Sequence, residues 1–420
     1  MKIIRERVAG IDQHRDSIKV GVRLPGAGGE REQIVRTYAT HTSDLLVTRD
    51  WLKSLGVTHV AIESTGNYWK STYYLLEDDF EVVLVNAAHV KHVEGKKTDT
   101  QDCLWLAELL ECGLLRASFV PPPPIRVLRA LTRRRKHVQE DRTREIQRLH
   151  DVLQDAGIKL SSVATDILGV SGRAILKQLV EGRTDPEALA ELARGRLRAK
   201  LPELRQALQG QFTPQHGELV EGILDHIEFL EGALGELQRQ IDAHAAAFAE
   251  EQQRLDTIPG WDVKTAQAFL GECGANMKQF PTTKHLGAWS GLAPGQHESA
   301  GRRRAQRTRR GNRYLRAALV EAAWAAVLQK DNYFAAQYHR LVGHRGKKRA
   351  IVAVAHSMIE VAHVLLSRKV NYHDLGPDYF LRLNQKAIER RCVRQLQRLG
   401  YQVSLTLTPP QPNALQEANV

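Results

Sequence analysis

A chain of 420 residues exceeds the size at which one apolar core usually keeps growing, so two main domains joined by helical material are expected. Its 60 Lys and Arg against 48 Asp and Glu leave a formal net charge of +12 and an isoelectric point near 9.6, which favours a polyanionic partner, nucleic acid first. Four cysteines without metal-site spacing exclude a disulfide framework, and a charged start with no run near 18 apolar residues argues against a signal peptide or membrane span, so a cytoplasmic protein with no membrane partner is expected.

From Val8 to Val22 alternating apolar residues on either side of Gln13–Asp16 predict a hairpin. Thr58 to Glu63 reads as a strand ending at Ser64-Thr65-Gly66-Asn67, followed by a helix over 68–77. A further strand spans Phe80 to Asn86, and a helix runs from Gln101 to Cys112 with Leu104, Ala107, Leu109 and Leu110 towards a core. That alternation predicts an α/β layered domain over 1–120. The prolines at 121–124 mark a stiff boundary, after which the chain reads as all-α.

In a central helical section, 125–250, Leu219, Ile223, Ile227, Leu230, Leu234, Leu237 and Ile241 recur close to a heptad. They fit a coiled-coil hairpin, a dimer contact, or the buried stripe of a helix pair within one chain. A last compact unit, 251–370, opens on Ile258-Pro-Gly260 followed by a helix from Thr265, which resembles a helix-hairpin-helix. Residues 371–420 read as a polar tail, disordered at its proline-rich end.

Asp12 and Glu63 each close a strand, and Asp99 and Asp102 sit three apart at the opening of a helix, on one face. Such acids can hold two hard divalent cations about 4 Å apart, as phosphodiester chemistry requires. Each also has an ordinary structural reading, as turn former, strand-end charge, helix cap or first-turn residue. Lys96 and Lys97 lie where they can steer a phosphate backbone.

Two basic runs stand out. Arg133, Arg134 and Arg135 precede Lys136, and Arg302, Arg303 and Arg304 lead to Arg309, Arg310, Asn312 and, in the next helix, Arg316. A solvated face is one reading of either run, a nucleic-acid-binding surface the other. Ser299 lies between His297 and the arginines; by residue type it is a loop hydroxyl or a nucleophile beside charges able to stabilise a phosphorane-like transition state.

Gly10-Ile-Asp12, Ala61-Ile-Glu63-Ser-Thr-Gly66 and Lys97-Thr-Asp99-Thr-Gln-Asp102 resemble, in order and spacing, the motifs of the DEDD-type insertion-sequence transposases. Ile258-Pro-Gly260, Gly291-Leu-Ala-Pro294, Glu298-Ser299 and Gly311-Asn312-Arg-Tyr-Leu-Arg316 resemble the second domain of the same family. Ala300 stands where many relatives place glycine after the serine. The resemblance implies an RNase H-like (RuvC-like) N-terminal domain, a central helical section and a mostly α-helical C-terminal transposase domain. It implies that Asp12, Glu63, Asp99 and Asp102 bind Mg2+ (or Mn2+) and that Ser299 is the recombination nucleophile. It further implies DNA at element ends and target as substrate, a structured non-coding guide RNA, and a dimer or tetramer.

Two other readings compete. One is a junction resolvase or nuclease that hydrolyses with metal-bound water and uses Ser299 only structurally; the other is a nucleic-acid-binding scaffold without catalysis.

Overall fold

The computed structural model describes residues 3–63, 66–86, 99–295, 298–299, 302–303, 308, 310–383 and 385–406, with backbone alone at 99–101, 298–299 and 302–303. Two compact units divide at Val120 and Pro121.

In the first unit β1 (Val8–Gln13), β2 (Ser17–Pro25) and β3 (Arg31–Ala39) form an antiparallel meander. β4 (His59–Glu63) and β5 (Glu81–Val85) extend the sheet parallel to β1, in the order β3-β2-β1-β4-β5. This order, with those directions, makes the unit RNase H-like. The period of two sorts the strand residues: Ala9, Ile11, Ile18, Val20, Val60 and Ile62 pack on one face with Leu45 and Leu52 of α1 (Thr42–Ser54) and Leu76 of α2 (Trp69–Leu76). Val8, Ala61, Val83 and Val85 pack on the other with Leu106, Ala107 and Leu110 of α3 (Asp99–Glu111). β3 and α1 were not expected from the sequence. β3 is an edge strand only partly buried along its length, so its alternation is diluted by polar residues on both faces.

The second unit is helical. α4 (Pro123–Asp155) and α8 (Pro214–Ala245) run antiparallel, since Arg135 reaches Gln238 while Arg142, two turns on, reaches Glu231. Much of the heptad seam is therefore covered within the chain, Ile223, Leu234 and Leu237 being half-buried. Ile227, Leu230 and Ile241 are buried, whereas Leu219 is exposed and Val220 takes its place. α5 (Val170–Val180), α6 (Pro186–Ala190) and α7 (Leu201–Ala207) close a core over the ends of this pair through Ile175, Leu176, Leu189 and Leu204.

Then follow α9 (Ala249–Asp256), α10 (Val263–Cys273), α11 (Thr283–Trp289), the two-residue strands β6 (Glu298–Ser299) and β7 (Arg302–Arg303), α12 (Arg313–Leu328), α13 (Tyr333–Arg345) and α14 (Lys347–Arg368). α14 is long and apolar enough to cross a membrane by composition, but half of its apolar window is buried against the unit, including Ile351, Val354, Met358 and Ile359. α4 also packs on α10, so the expected division near residue 250 is bridged by one helix. The tail is polar and largely exposed where it is described, and it carries two helices not expected from the sequence, α15 (Tyr379–Leu383) and α16 (Gln385–Arg398), since arginine and glutamine are good helix formers even without an apolar run; its proline-rich end lies outside the described residues.

Candidate active site

The register of β1 against β4 pairs Gly10 with Ala61 and Ile11 with Ile62, so Asp12 and Glu63 follow side by side at the carboxyl ends of two parallel strands. Alternation puts both on the face that carries Val8 and Ala61, the face α3 covers. The helix can come close only because two strand residues lack a side chain. A Cβ on Gly10 would lie 2.2 Å from the Cys103 carbonyl oxygen, and one on Gly21 2.9 Å from the Leu104 nitrogen. On α3 the buried stripe Leu106, Ala107 and Leu110 continues backwards through Cys103 and Asp102 by steps of three and four.

The first turns of α3 thus open beside the ends of β1 and β4. Burial pushes the Cys103 thiol up from its ordinary value, and the nearby negative charge of Asp12 adds to the effect. Asp12 is mostly buried, and His14, just past the strand, holds its Oδ2 at 3.0 Å from Nε2. Asp99 begins α3, with its side chain outside the described residues, as are Lys96 and Lys97. Among the described residues no three His, Cys, Asp or Glu side chains stand close enough to hold one ion. The donor chemistry of Asp12, Glu63 and Asp102 nevertheless suits a hard divalent cation, all three being carboxylates directed to one end of the sheet.

In the helical unit Ser299 is the last residue of β6 and pairs with Arg302 of β7, Glu298 pairing with Arg303, so two residues separate the strands. Below them Pro294 bridges Thr308, and the ribbon is pinched at its base: a Cβ on Gly311 would lie 2.2 Å from the Gly291 nitrogen. Arg316 fastens that base, donating to the Gly291 carbonyl at 3.2 Å and to Thr308 Oγ1 at 2.9 Å. Ser299 accordingly sits near the end of a short two-stranded ribbon with a rigid foot. The side chains of Ser299, Arg302 and Arg303, and all of Arg304 and Arg309, lie outside the described residues; Arg310 is exposed.

The first basic run is divided by its helix. Arg133 meets both oxygens of buried Glu272, at 2.6 and 2.7 Å, and stacks over the Tyr314 ring. Arg129 closes on the same carboxylate at 3.4 Å, and Asn312, which caps α12 through the Tyr314 and Leu315 amides, donates to it as well. Arg135 donates to Gln238, Gln267 and the Lys264 carbonyl, and burial lowers its pKa. These groups hold α4, α10 and α12 together. Of the three expected nucleic-acid contacts in that run, Arg134 alone is exposed.

The helix-hairpin-helix resemblance meets a similar constraint. Gly260 has φ +79°, but its α-carbon faces α12, where a Cβ would come within 2.4 Å of the Ala322 oxygen and the Ala326 nitrogen. The turn is used for helix packing. Sequence reasoning missed His14 and Glu272. The first could have been noticed from its place two residues after Asp12, whereas nothing local marks the second, whose partner Arg133 is 139 residues away.

Two family models match the chain, and the first runs past the division at Val120 and Pro121. Residues 9–158 match a family model described as a DEDD transposase, and residues 252–339 match the model of the transposase IS116/IS110/IS902 family. A probable family 20 transposase of Pseudomonas aeruginosa is 28% identical over 331 residues, covering 77% of this chain and 88% of that protein. The transposase for insertion sequence element IS1111A of Coxiella burnetii is 27% identical over 328 residues, covering 76% and 80%. Among solved structures, Thermus thermophilus RuvC is matched over 27% of this chain and 99% of its own, at 13% identity and a TM-score of 0.22. The same protein in complex with a Holliday junction substrate gives 0.20. With a DEDD domain at one end and the IS110-type transposase domain at the other, the chain belongs to the IS110-type DEDD transposases, enzymes that cut and rejoin DNA.

Proposed function

We propose that the chain cuts and rejoins DNA at insertion-sequence ends and target sites with two separate chemical devices, the acids of the first unit and the serine of the second. The observation that carries this reading is the convergence of Asp12, Glu63 and the start of α3 on one end of the sheet. Asp12, Glu63, Asp99 and Asp102 would hold Mg2+ or Mn2+, which supplies charge neutralisation and orientation at a scissile phosphate. His14 steadies the Asp12 carboxylate from its outer side.

Ser299 is the nucleophile. Its oxygen forms a bond to phosphorus as the bond to the bridging sugar oxygen breaks; the hydroxyl proton is given up and the departing sugar oxygen takes one. One phosphodiester is exchanged for another, so rejoining is the same step in reverse. The neighbouring arginines neutralise the extra charge on the transferring phosphoryl group. Lys96 and Lys97 guide the backbone towards the acids, and Arg134 and Arg310 bind it outside the reacting centre. An element-encoded non-coding RNA selects donor and target, and the serine ribbon reaches acids of its own or another subunit within a dimer or tetramer, working in the cytoplasm.

Replacing Asp12 or Asp102 by Asn tests the metal half. Strand transfer should fall by more than the roughly 10–100-fold cost of losing an outer partner of a metal ligand. The rise in melting temperature that Mg2+ gives the parent should vanish, with the metal-free melting temperature unchanged. Full activity in both variants would leave the acids as caps and turn formers and the reading without its centre.

A further inference from the structure

Helix α16 carries Lys386, Arg390, Arg394 and Arg398 at steps of four, with Arg391 beside them and Glu389 as its sole acid. Glu389 is engaged by Gln385 at 2.8 Å, and Arg390 donates from Nε only to the Lys386 carbonyl of its own helix. Among the described residues none of Arg390, Arg391, Arg394 and Arg398 has a carboxylate within ion-pair distance. That sets them apart from Arg23, Arg133, Arg142 and Arg173, which are bound to Glu111, Glu272 and Glu231.

The helix is oriented by its apolar edge. Ile388 and Cys392, with Arg391 at the margin, border a cavity of about 520 Å3 shared with Ala336 and Arg340 of α13 and Phe380 of α15. Arg390, Arg391, Arg394 and Arg398 line an open groove of about 470 Å3 together with Ala387 and Gln395, Arg391 bordering both. The basic row therefore lies beside the groove while the apolar edge is turned to α13. Steps of four place successive charges on the order of 6 Å apart, and a duplex presents a charge about every 1.7 Å of its axis, so each arginine can find its own phosphate. A membrane surface fits less well, because such helices offer a free apolar face rich in Trp, Phe or Leu, and α16 has no aromatic residue.

We propose that α16 is a phosphodiester-backbone clamp that grips nucleic acid without reading its sequence. It is independent of the roles given to Ser299 and the acids. DNA and RNA offer the same phosphate chemistry, and the experiment has an arm for each.

The full chain and its Arg390→Gln/Arg394→Gln/Arg398→Gln variant are titrated with a duplex of arbitrary sequence and, separately, with a stem-loop RNA, over a range of salt. The slope of log affinity against log salt should be smaller by about 3 in the variant, one unit per arginine, for whichever nucleic acid the helix holds. The matching triple lysine variant should bind like the parent, since charge at that spacing is what matters. Single Arg394→Gln and Arg398→Gln variants, each expected to lower the slope by about 1, decide the matter if the triple variant loses helicity by circular dichroism. Unchanged slopes with both nucleic acids overturn the proposal, as does a loss confined to binding of phosphatidylserine vesicles.

Discussion

Buried carboxylates divide the labour in this protein. Glu111, at the end of α3, is 1% exposed and has each oxygen beside an arginine, Arg23 Nε at 2.7 Å and Arg31 Nε at 2.6 Å. It ties the helix to β2 and to the edge strand β3. Removing one member of such a group leaves charges buried without partners, so Glu111→Ala should lower unfolding free energy by about 3–5 kcal/mol, checked by urea denaturation. A change below 1 kcal/mol would mean that water reaches both arginines. Asp12 has different surroundings: the His14 imidazole lies against it and, among the described residues, no arginine does, which leaves its negative charge available to a cation. Neither distinction could be read from the sequence, where Glu111 is one acid of an ordinary helix end and its two partners are 80 or more positions away.

At the scale of elements, the approach of α3 to β1 sets the geometry of the acids. Gly10→Ala would push a methyl group into the Cys103 carbonyl and the Ala107 amide, both backbone atoms that cannot rotate away. Overpacking of this kind costs about 1–3 kcal/mol, and here the helix must also move from the strand ends. Strand transfer should accordingly fall much further than the melting temperature suggests, measured side by side on the same preparation; a loss of activity no larger than the loss of folded protein would contradict this. The hairpin, β4, β5 and α3 were legible because their apolar residues follow clean periods of 2 and 3.6. The edge strand β3 and helix α16 were not, because each presents a polar face with little burial behind it. The seam on α8 was legible as a seam, but its partner α4 was not, since periodicity fixes which face is covered and leaves open what covers it.

Taken as a whole molecule, the chain keeps its acids and its serine in different compact units. Both sets were recognisable in the sequence as motifs in order, whereas the inward engagement of Arg133 and Arg135 was not, because Glu272, Gln238 and Gln267 arrive from distant helices. What separates attack by the Ser299 hydroxyl from attack by water is a covalent bond between protein and DNA. The direct measurement is to incubate the protein with Mg2+ and a duplex bearing an element end, with and without the proposed element-encoded RNA, denature, and sequence the DNA-linked peptide by mass spectrometry. The account predicts a phosphoserine link at Ser299, absent from the Ser299→Ala variant together with cleavage. Cleavage by Ser299→Ala at the parent rate, with no linked peptide in either protein, would show that water is the nucleophile and contradict it.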